Sequence, residues 1–248
     1  MKSPHLIAKP SQLLVLAGSA MAVLFSSSAL SQSTCSSDGQ AAHQALLERF
    51  ISADCASCWR DPTPLETATD TVTLDWIVPG AQGEEAPLSA AATRDALVRL
   101  EDQKLTVPGT QTSQERKVMG WPGAELRVVQ GPAVNGYLGV IMSLKLPASA
   151  LTTSPLQAWL VMVESLPQGL EESPVSRNLV RNVLQPSWNM RKTLEKSEQL
   201  EFYELRPMNI PAGALPERLR LVGWIQNVQG QILTTAATSC PAEEKPSH

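Results

Sequence analysis

Histidine is scarce in this sequence, and the scarcity argues against several kinds of active site. Three of the 248 residues are histidine, and His5 and His248 lie close to the two chain ends. A serine nucleophile needs a histidine base beside it, and most zinc sites use histidine ligands. His43 alone lies in the interior of the sequence. Serine-hydrolase chemistry and a histidine-rich zinc site are therefore not expected.

An excess of basic charge is also absent. The chain has 20 Lys and Arg residues against 24 Asp and Glu residues, for a net charge of −4. Proteins that bind nucleic acids place clustered basic side chains against the phosphate backbone. The charge balance therefore predicts no nucleic-acid partner.

Long apolar runs are missing except at the N-terminus. Residues 1–31 contain Lys2 and Lys9, no acidic residue, an apolar run from Leu13 to Phe25, and the small residues Ala29 and Ser31. This pattern is typical of a cleavable secretory signal. The apolar run is shorter than the about 20 residues of a membrane-spanning helix. We therefore expect a signal peptide at 1–31, no membrane span, and a soluble mature protein that is periplasmic or secreted.

The four cysteines all lie after the predicted signal, where an oxidising compartment allows disulfides to persist. Four cysteines permit three pairings. The spacing favours Cys55 with Cys58, and Cys35 with Cys240. The second pair would join the two ends of the mature chain, and we predict a structural role for it.

The C-x-x-C pair Cys55 and Cys58 carries the sharpest functional hypothesis. An apolar segment, Ala45–Ile51, runs into it. A strand that leads into a C-x-x-C loop is typical of thioredoxin-like redox proteins. The pair therefore predicts thiol-disulfide exchange.

Strand-like and helix-like segments alternate between residues 32 and 150. Thr71–Val78 alternates in the manner of a strand, and the run Thr63-Pro64-Leu65-Glu66 before it predicts a helix start. Apolar residues at helical spacing between Pro87 and Leu105 predict a longer helix. Further strands are predicted at Leu126–Val129 and Ala133–Ile141.

Pro132 opens the last of these predicted strands. Thioredoxin-like folds keep a cis proline beside the sulfurs at the start of a strand well downstream of the C-x-x-C motif, so Pro132 is a candidate site residue. The alternative is an ordinary turn proline, since about 5 to 6% of X-Pro bonds are cis.

The second half of the chain is predicted to be rich in strands. Ala148–Pro155 is rich in Ser, Thr and Ala, which predicts a boundary near residue 150. Arg177, Arg181 and Arg191 are followed by interspersed acidic and basic residues, which predicts a solvated face. The predicted strands are Gln157–Glu164 and the hairpin Leu219–Gln226 with Gln231–Thr235. The predicted fold class is α/β, with a thioredoxin-like N-terminal module at 32–150 and a β-rich C-terminal extension at 151–248.

The segment Leu47–Cys58 resembles the opening of a secreted bacterial thioredoxin-like family of unknown function, the domain of unknown function 1223 type. Members of that family carry a strand ending in Phe-Thr-Ser and then Cys-Ser-Ser-Cys. The segments Gly131–Gly136 and Trp224–Asn227 resemble later parts of the same family. The matching residues of the first segment are Phe50, Ser52, Cys55, Ser57 and Cys58.

The resemblance implies an exposed Cys55 thiol, a resolving Cys58 and a site lined by Pro132. The chain departs from the family at Trp59-Arg60-Asp61, which separates the cysteines from the predicted helix start. Arg60 is then the candidate cation for stabilising a thiolate. Trp59 is expected to be part of the core or of the site wall.

The function expected from these observations is thiol-disulfide exchange with a protein dithiol or disulfide, in which the Cys55 thiolate attacks and Cys58 resolves. The alternative is a non-catalytic binding or structural module in which Cys55–Cys58 is a fixed disulfide. A third hypothesis is a soft-metal site formed by the pair with His43 or Met119. The favoured hypothesis involves no cofactor and no bound metal. The sequence indicates no particular oligomeric state.

Overall fold

Alternating apolar side chains make most of the secondary structure β-strand. In the computed structural model, the strand Tyr137–Pro147 buries Leu138, Val140 and each second residue after them. A period of two places one row of side chains on each face of a strand. The structure describes residues 34–64, 67–147, 155–188 and 199–240.

The described residues belong to one compact unit, residues 32–248. The predicted signal at 1–31 and the predicted boundary near residue 150 lie outside the described residues. The strands of the described part are β1 (Cys35–Ser36), β2 (Ala45–Ser52), β3 (Thr71–Val78), β4 (Gln111–Lys117), β5 (Glu125–Val134), β6 (Tyr137–Pro147), β7 (Leu156–Leu166), β8 (Arg177–Leu184), β9 (Gln199–Asn209), β10 (Leu219–Asn227) and β11 (Ile232–Ala237). The α-helices of the same part are α1 (Ala56–Trp59) and α2 (Arg94–Asp102), and short 3-10 helices lie at Gly83–Glu85, Ser89–Ala91 and Pro216–Arg218.

The strands form two sheets. The larger sheet has seven strands in the order β11-β10-β7-β8-β3-β2-β4, and the smaller sheet has four in the order β1-β5-β6-β9. In the larger sheet β3 pairs in parallel with both β2 and β8, and the other pairs are antiparallel. Strands from both predicted halves of the chain therefore share each sheet.

The larger sheet is covered on both faces. Helix α2 packs on one face through Ala96 and Leu100, which lie against buried residues of β2, β3 and β7. On the opposite face, the smaller sheet covers the part formed by β7, β10 and β11, and α1 covers the part formed by β2, β3 and β8. The short helix α1 thus has its own small apolar core beneath it.

The prediction of an α/β fold with a thioredoxin-like N-terminal module is wrong. The described residues are mostly strands in two sheets, with two α-helices, one of which has four residues. An α/β fold covers both faces of a mostly parallel sheet with helices, whereas here a second sheet covers much of one face. The C-x-x-C motif and the strand before it are local features, so they do not determine which elements pack on that strand.

Two local predictions also need correction. The predicted strand Ala133–Ile141 is broken by a two-residue turn at Asn135 and Gly136, whose φ angles are 51° and 78°. Asn-Gly is the preferred sequence for a type I′ hairpin turn, and β5 and β6 are the two strands that it joins. The predicted helix start at Thr63 and Pro64 is not helical at those two residues, and its continuation at 65–66 lies outside the described residues.

Candidate functional site

All four cysteines are paired. Cys55 is bonded to Cys58, and Cys35 is bonded to Cys240, which are the two pairs that the spacing favours. Disulfides persist in oxidising compartments and are rare where glutathione keeps thiols reduced. The two bonds therefore indicate an oxidising environment of the extracellular type.

The Cys35–Cys240 disulfide joins the first strand to the segment after the last strand. Its cysteines are 205 residues apart in the sequence. Ser36 and Ser239, the neighbours of the two cysteines, also exchange backbone hydrogen bonds of 3.2 and 2.9 Å. The bond thus fastens β1, and with it the edge of the smaller sheet, to the end of the described chain.

The C-x-x-C pair lies where β2 passes into α1. The Cys55 N–H donates to the Ser52 carbonyl at 2.9 Å, which closes the turn between the strand and the helix. The Cys58 N–H is shared between the Cys55 carbonyl at 3.1 Å and Cys55 Sγ at 3.3 Å, and Ser57 Oγ lies 3.5 Å from the same sulfur. Hydrogen bonds to a sulfur favour its thiolate when the bond is opened. Cys55 therefore has the better-stabilised sulfur of the pair.

The exposure of the two cysteines is the reverse of what the resemblance implies. Cys55 is 8% exposed and counts as buried, whereas Cys58 is partly exposed. A reactant that approaches from solvent therefore meets Cys58 more readily than Cys55. Exposure depends on the packing of α1 on β3 and β8, which the local motif does not encode.

Asp54 anchors the loop before the cysteines. Its carboxylate accepts hydrogen bonds from the N–H groups of Ala81 at 2.7 Å and Gln82 at 3.2 Å. Those residues follow the end of β3, so the carboxylate connects the loop to the neighbouring strand. Asp54 thus fixes the residue before Cys55 to the segment that follows β3.

The buried cation next to the cysteines is Arg177, at the start of β8. Its Nη2 donates to the carbonyl of Trp59 at 2.6 Å and lies 3.4 Å from the carbonyl of Cys58. Its guanidinium lies over the Trp59 ring, 4.9 Å from the centroid. Arg177 thus places a positive charge at the C-terminal end of α1, although it lies 118 positions after Trp59 in the sequence.

The charge of Arg177 is only partly compensated. Arg49 pairs with Asp75 through Nε and Nη2, while Arg177 Nη1 lies 3.9 Å from Asp75 and has no hydrogen-bond partner. Burial lowers the pKa of Arg177 below its ordinary value, and the charge of Arg49 acts in the same direction, against Asp75 and Asp61. Two buried guanidinium groups thus share one buried carboxylate, which leaves net positive charge behind α1.

Arg60, the cation expected from the sequence, lies at the surface beside the cysteines. Arg60 is exposed and its Nε donates to Glu172 at 2.9 Å, so its charge is paired at the surface. Arg177 and Arg181 were predicted on a solvated face, yet their side chains are 1% and 7% exposed. Arg191 lies outside the described residues. The available sequence signal for the burial of Arg177 was its position at the start of a strand that is rich in Leu and Val.

Trp59 forms one wall of a pocket beside the disulfide. The Trp59 indole is buried and its Nε1 donates to the Glu171 carbonyl at 2.7 Å. This confirms the expected place of Trp59 in the core or in the site wall. The pocket has a volume of about 290 Å³, and its lining includes Ala56, Ile77 and Leu88.

The structure places Pro132 in the smaller sheet, whereas the strand that leads into Cys55 and Cys58, β2, belongs to the larger one. Pro132 lies in β5 of the smaller sheet, at an irregularity between Gln130 and Ala133. Within the described ranges none of the peptide bonds is cis, so the bond before Pro132 is trans. None of the described residues that line the pocket beside α1 comes from the smaller sheet.

The proposed soft-metal site is not assembled. His43 and Met119 lie beside one end of β2 and Cys55 follows the other, and a strand of eight residues spans about 26 Å. The described part of the chain contains no cluster of three His, Cys, Asp or Glu side chains suited to a metal ion. Among the same residues, no helix has the length and apolar character needed to cross a membrane.

Comparisons with known proteins give a similarity of fold. No protein-family model matches the chain, and no curated protein matches it. The chain is similar to the solved structure of HBP35 of Porphyromonas gingivalis, with a TM-score of 0.50 and 11% identity over 84% of this chain and 78% of that chain. At this identity the similarity extends to the fold alone.

Proposed function

We propose that this protein exchanges disulfides with a protein partner through Cys55 and Cys58. The observation that carries the proposal is the combination of a partly exposed Cys58 with a Cys55 sulfur that accepts a hydrogen bond at 3.3 Å. One sulfur of the pair is accessible, and the other is prepared to leave as a thiolate.

The exchange proceeds in two steps. A thiolate of a partner dithiol attacks Cys58 Sγ; the Cys55–Cys58 bond breaks, a mixed disulfide forms, and Cys55 leaves as a thiolate. The second partner thiolate then attacks the partner sulfur of the mixed disulfide, which releases Cys58. Two electrons and two protons pass from the partner dithiol to Cys55 and Cys58. In the reverse direction Cys55 resolves the mixed disulfide, so these roles are the opposite of those implied by the resemblance.

The surroundings of the pair support the proposal electrostatically. Leaving Cys55 as a thiolate requires stabilisation of negative charge, which a nearby cation and N–H donors supply. Arg177 contributes a partly compensated positive charge next to Cys58, and the Cys58 N–H points to Cys55 Sγ.

We also propose that residues 1–31 direct export and that the mature protein is periplasmic or secreted. The signal-like composition of residues 1–31 supports export, and the two disulfides support an oxidising destination. N-terminal sequencing of the protein recovered from an oxidising compartment should begin at Gln32, and an intact N-terminus would contradict export by cleavage.

The exchange is tested with a peptide that carries two cysteines. The oxidised chain should convert this dithiol peptide to its disulfide while Cys55 and Cys58 become reduced, as read by alkylation and mass spectrometry. The matched control is the double variant Cys55→Ser/Cys58→Ser, which keeps the Cys35–Cys240 bond and should leave the peptide reduced.

Single variants test the roles of the two sulfurs. Cys55→Ser leaves the accessible Cys58 without its resolving partner and should accumulate a mixed disulfide with an oxidised peptide. Cys58→Ser should form less of this species because Cys55 is buried. A Cys55–Cys58 bond that stays closed in the presence of the dithiol peptide would instead support the alternative, a fixed disulfide in a binding or structural module.

A further inference from the structure

The pocket beside α1, lined by Ala56 and Trp59 of that helix, lies next to the exchanging disulfide. Ala56 directly follows Cys55, and consecutive Cα atoms are about 3.8 Å apart. Trp59 likewise follows Cys58, so a residue next to a partner cysteine that has reached the disulfide is within reach of this pocket. We use the name α1 pocket for this cavity of about 290 Å³.

The walls of the α1 pocket are mainly apolar. They come from α1, from Ile77 and Leu179 in the larger sheet, and from the segment Pro87–Ala91. Ligand pockets for drug-sized molecules occupy about 300 to 1,000 Å³, so the α1 pocket is at the lower limit of that range. Its size and surface fit one or two apolar side chains.

The pocket is held in a fixed shape by polar contacts behind its walls. The Trp59 Nε1 donates to the Glu171 carbonyl at 2.7 Å, and Arg177 lies over the Trp59 ring and donates to the Trp59 carbonyl at 2.6 Å. On the opposite side, the Leu88 N–H donates to the Ala53 carbonyl at 3.1 Å. A pocket that exists before binding costs little ordering entropy when a side chain enters.

The rim of the α1 pocket is charged, but its charges are already paired. Arg60 pairs with Glu172, and Glu171 pairs with Arg181 at 3.1 Å. The first pair joins the residue after α1 to the loop that carries Glu171 and Glu172, and the second joins the same loop to β8; both glutamates have positive φ angles. A charged residue of a partner therefore gains little at this rim, whereas an apolar residue gains the burial of its surface.

We infer that the exchange partner is a polypeptide with an apolar residue next to its reacting cysteine, and that this residue occupies the α1 pocket. The inference rests on the proposed exchange function and specifies its substrate class. The bonds that form and break are those of the two steps given above, and the apolar side chain increases the rate of the first step by holding the partner thiolate near Cys58.

Two peptides that differ in one residue test the inference. Gly-Leu-Cys-Gly and Gly-Asn-Cys-Gly carry side chains of similar size and no charge on the residue before the cysteine. Two molecules of either peptide reduce the Cys55–Cys58 bond and form one peptide disulfide, so electrons and protons balance. The second-order rate constant should be at least about tenfold higher for the leucine peptide, from burial of one Leu side chain.

A variant that fills the pocket supplies the control. Ala90 is an exposed residue of the pocket lining, and Ala90→Trp should lower the rate of the leucine peptide to that of the asparagine peptide. Ala42→Trp makes the same change at an exposed alanine outside the pocket and should leave the preference intact. The preference of the unaltered protein carries the test even where a variant fails to fold.

The outcomes separate the inference from the proposed function. Equal rates for the two peptides, with a disulfide that opens in both reactions, would overturn the apolar-neighbour inference and leave exchange standing. A disulfide that neither peptide nor reduced glutathione opens would overturn the exchange function and the inference together. A leucine preference that Ala90→Trp abolishes and Ala42→Trp retains would support both.

Discussion

The carboxylate of Asp54 lies directly against Gly80. A Cβ atom on Gly80 would be 2.6 Å from Asp54 Oδ2 and closer still to Oδ1. The carboxylate occupies this space because it accepts hydrogen bonds from the two residues after Gly80. The absence of a side chain at position 80 is therefore what allows the loop before Cys55 to dock on the end of β3.

Gly80→Ala should destabilise the fold around the disulfide. The added methyl group forces the Asp54 carboxylate away from its two donors, and such overpacking costs about 1 to 3 kcal/mol. Urea unfolding of the oxidised protein measures the change. Gly109→Ala is the matched control, because no atom lies within 4 Å of a Cβ there. Equal midpoints for the two variants would contradict the role of the Asp54–Gly80 contact.

Arg177→Met should make the reduction potential of the Cys55–Cys58 pair more negative, by about 30 mV or more. A nearby cation stabilises thiolates and so favours the reduced pair. The potential is measured in glutathione buffers, with folding checked by circular dichroism. Arg60→Met removes an exposed arginine from the same helix end and should leave the potential unchanged. A larger shift for Arg60→Met than for Arg177→Met would contradict the assignment of the cation.

The two disulfides should contribute unequally to stability. On the chain-entropy model, a loop of 205 residues is worth about 5 kcal/mol and the short C-x-x-C loop about 2 kcal/mol. Thermal unfolding of Cys35→Ser/Cys240→Ser should therefore show a greater loss of Tm than that of Cys55→Ser/Cys58→Ser. A greater loss of Tm for Cys55→Ser/Cys58→Ser would contradict the structural role of the Cys35–Cys240 bond.

Arg99→Met should be strongly destabilising. Arg99 is fully buried, its guanidinium lies over the rings of both Trp159 and Trp224, and it donates to Glu48 through Nε and Nη2, both at 2.8 Å. The buried Glu48 then keeps only its second cation, Arg116, and losing a fully buried partner of an ion pair costs about 3 to 5 kcal/mol. Urea unfolding tests this, with the conservative variant Arg99→Lys as comparison. A loss below about 1 kcal/mol for Arg99→Met would show that Glu48 is compensated without it.

His43 should make stability fall in mild acid. Burial lowers the pKa of His43 below its ordinary value of 6.5, against the opposing effect of Asp70. The unfolded chain then binds more protons than the folded chain between the two pKa values, so the free energy of unfolding decreases as pH falls through 6.5. His43→Gln should reduce the difference in urea midpoint between about pH 7.5 and about pH 5.5. An unchanged difference would mean that other groups cause it.

Local elements were largely predictable from the sequence. Thr71–Val78 was predicted as a strand with the bounds that β3 has, and the predicted helix between Pro87 and Leu105 contains α2. The hairpin of β10 and β11 was also expected, because alternating apolar runs flank a turn. Strand β4 was missed because its sequence, Gln-Thr-Ser-Gln-Glu-Arg-Lys, is polar. β4 lies at the edge of the larger sheet and pairs with β2 alone, and none of its side chains is fully buried.

The architecture and the surroundings of the site depend on contacts between distant residues. Nothing near Cys58 in the sequence indicates that Arg177 packs on the Trp59 ring, because that contact requires β8 to pair with β3. Periodicity identifies which residues of a strand are buried, but it does not say whether a helix or a second sheet covers them. For this reason the prediction of the two cysteine pairs was correct, whereas the prediction of the fold class was wrong.

The measurement that tests the account most directly is the reduction potential of the Cys55–Cys58 pair, titrated in glutathione buffers and read by alkylation and mass spectrometry. Exchange predicts a value between about −120 and about −270 mV, the range of known exchange proteins. A value below about −300 mV, typical of structural disulfides, would contradict exchange and leave Cys55–Cys58 as a fixed bond.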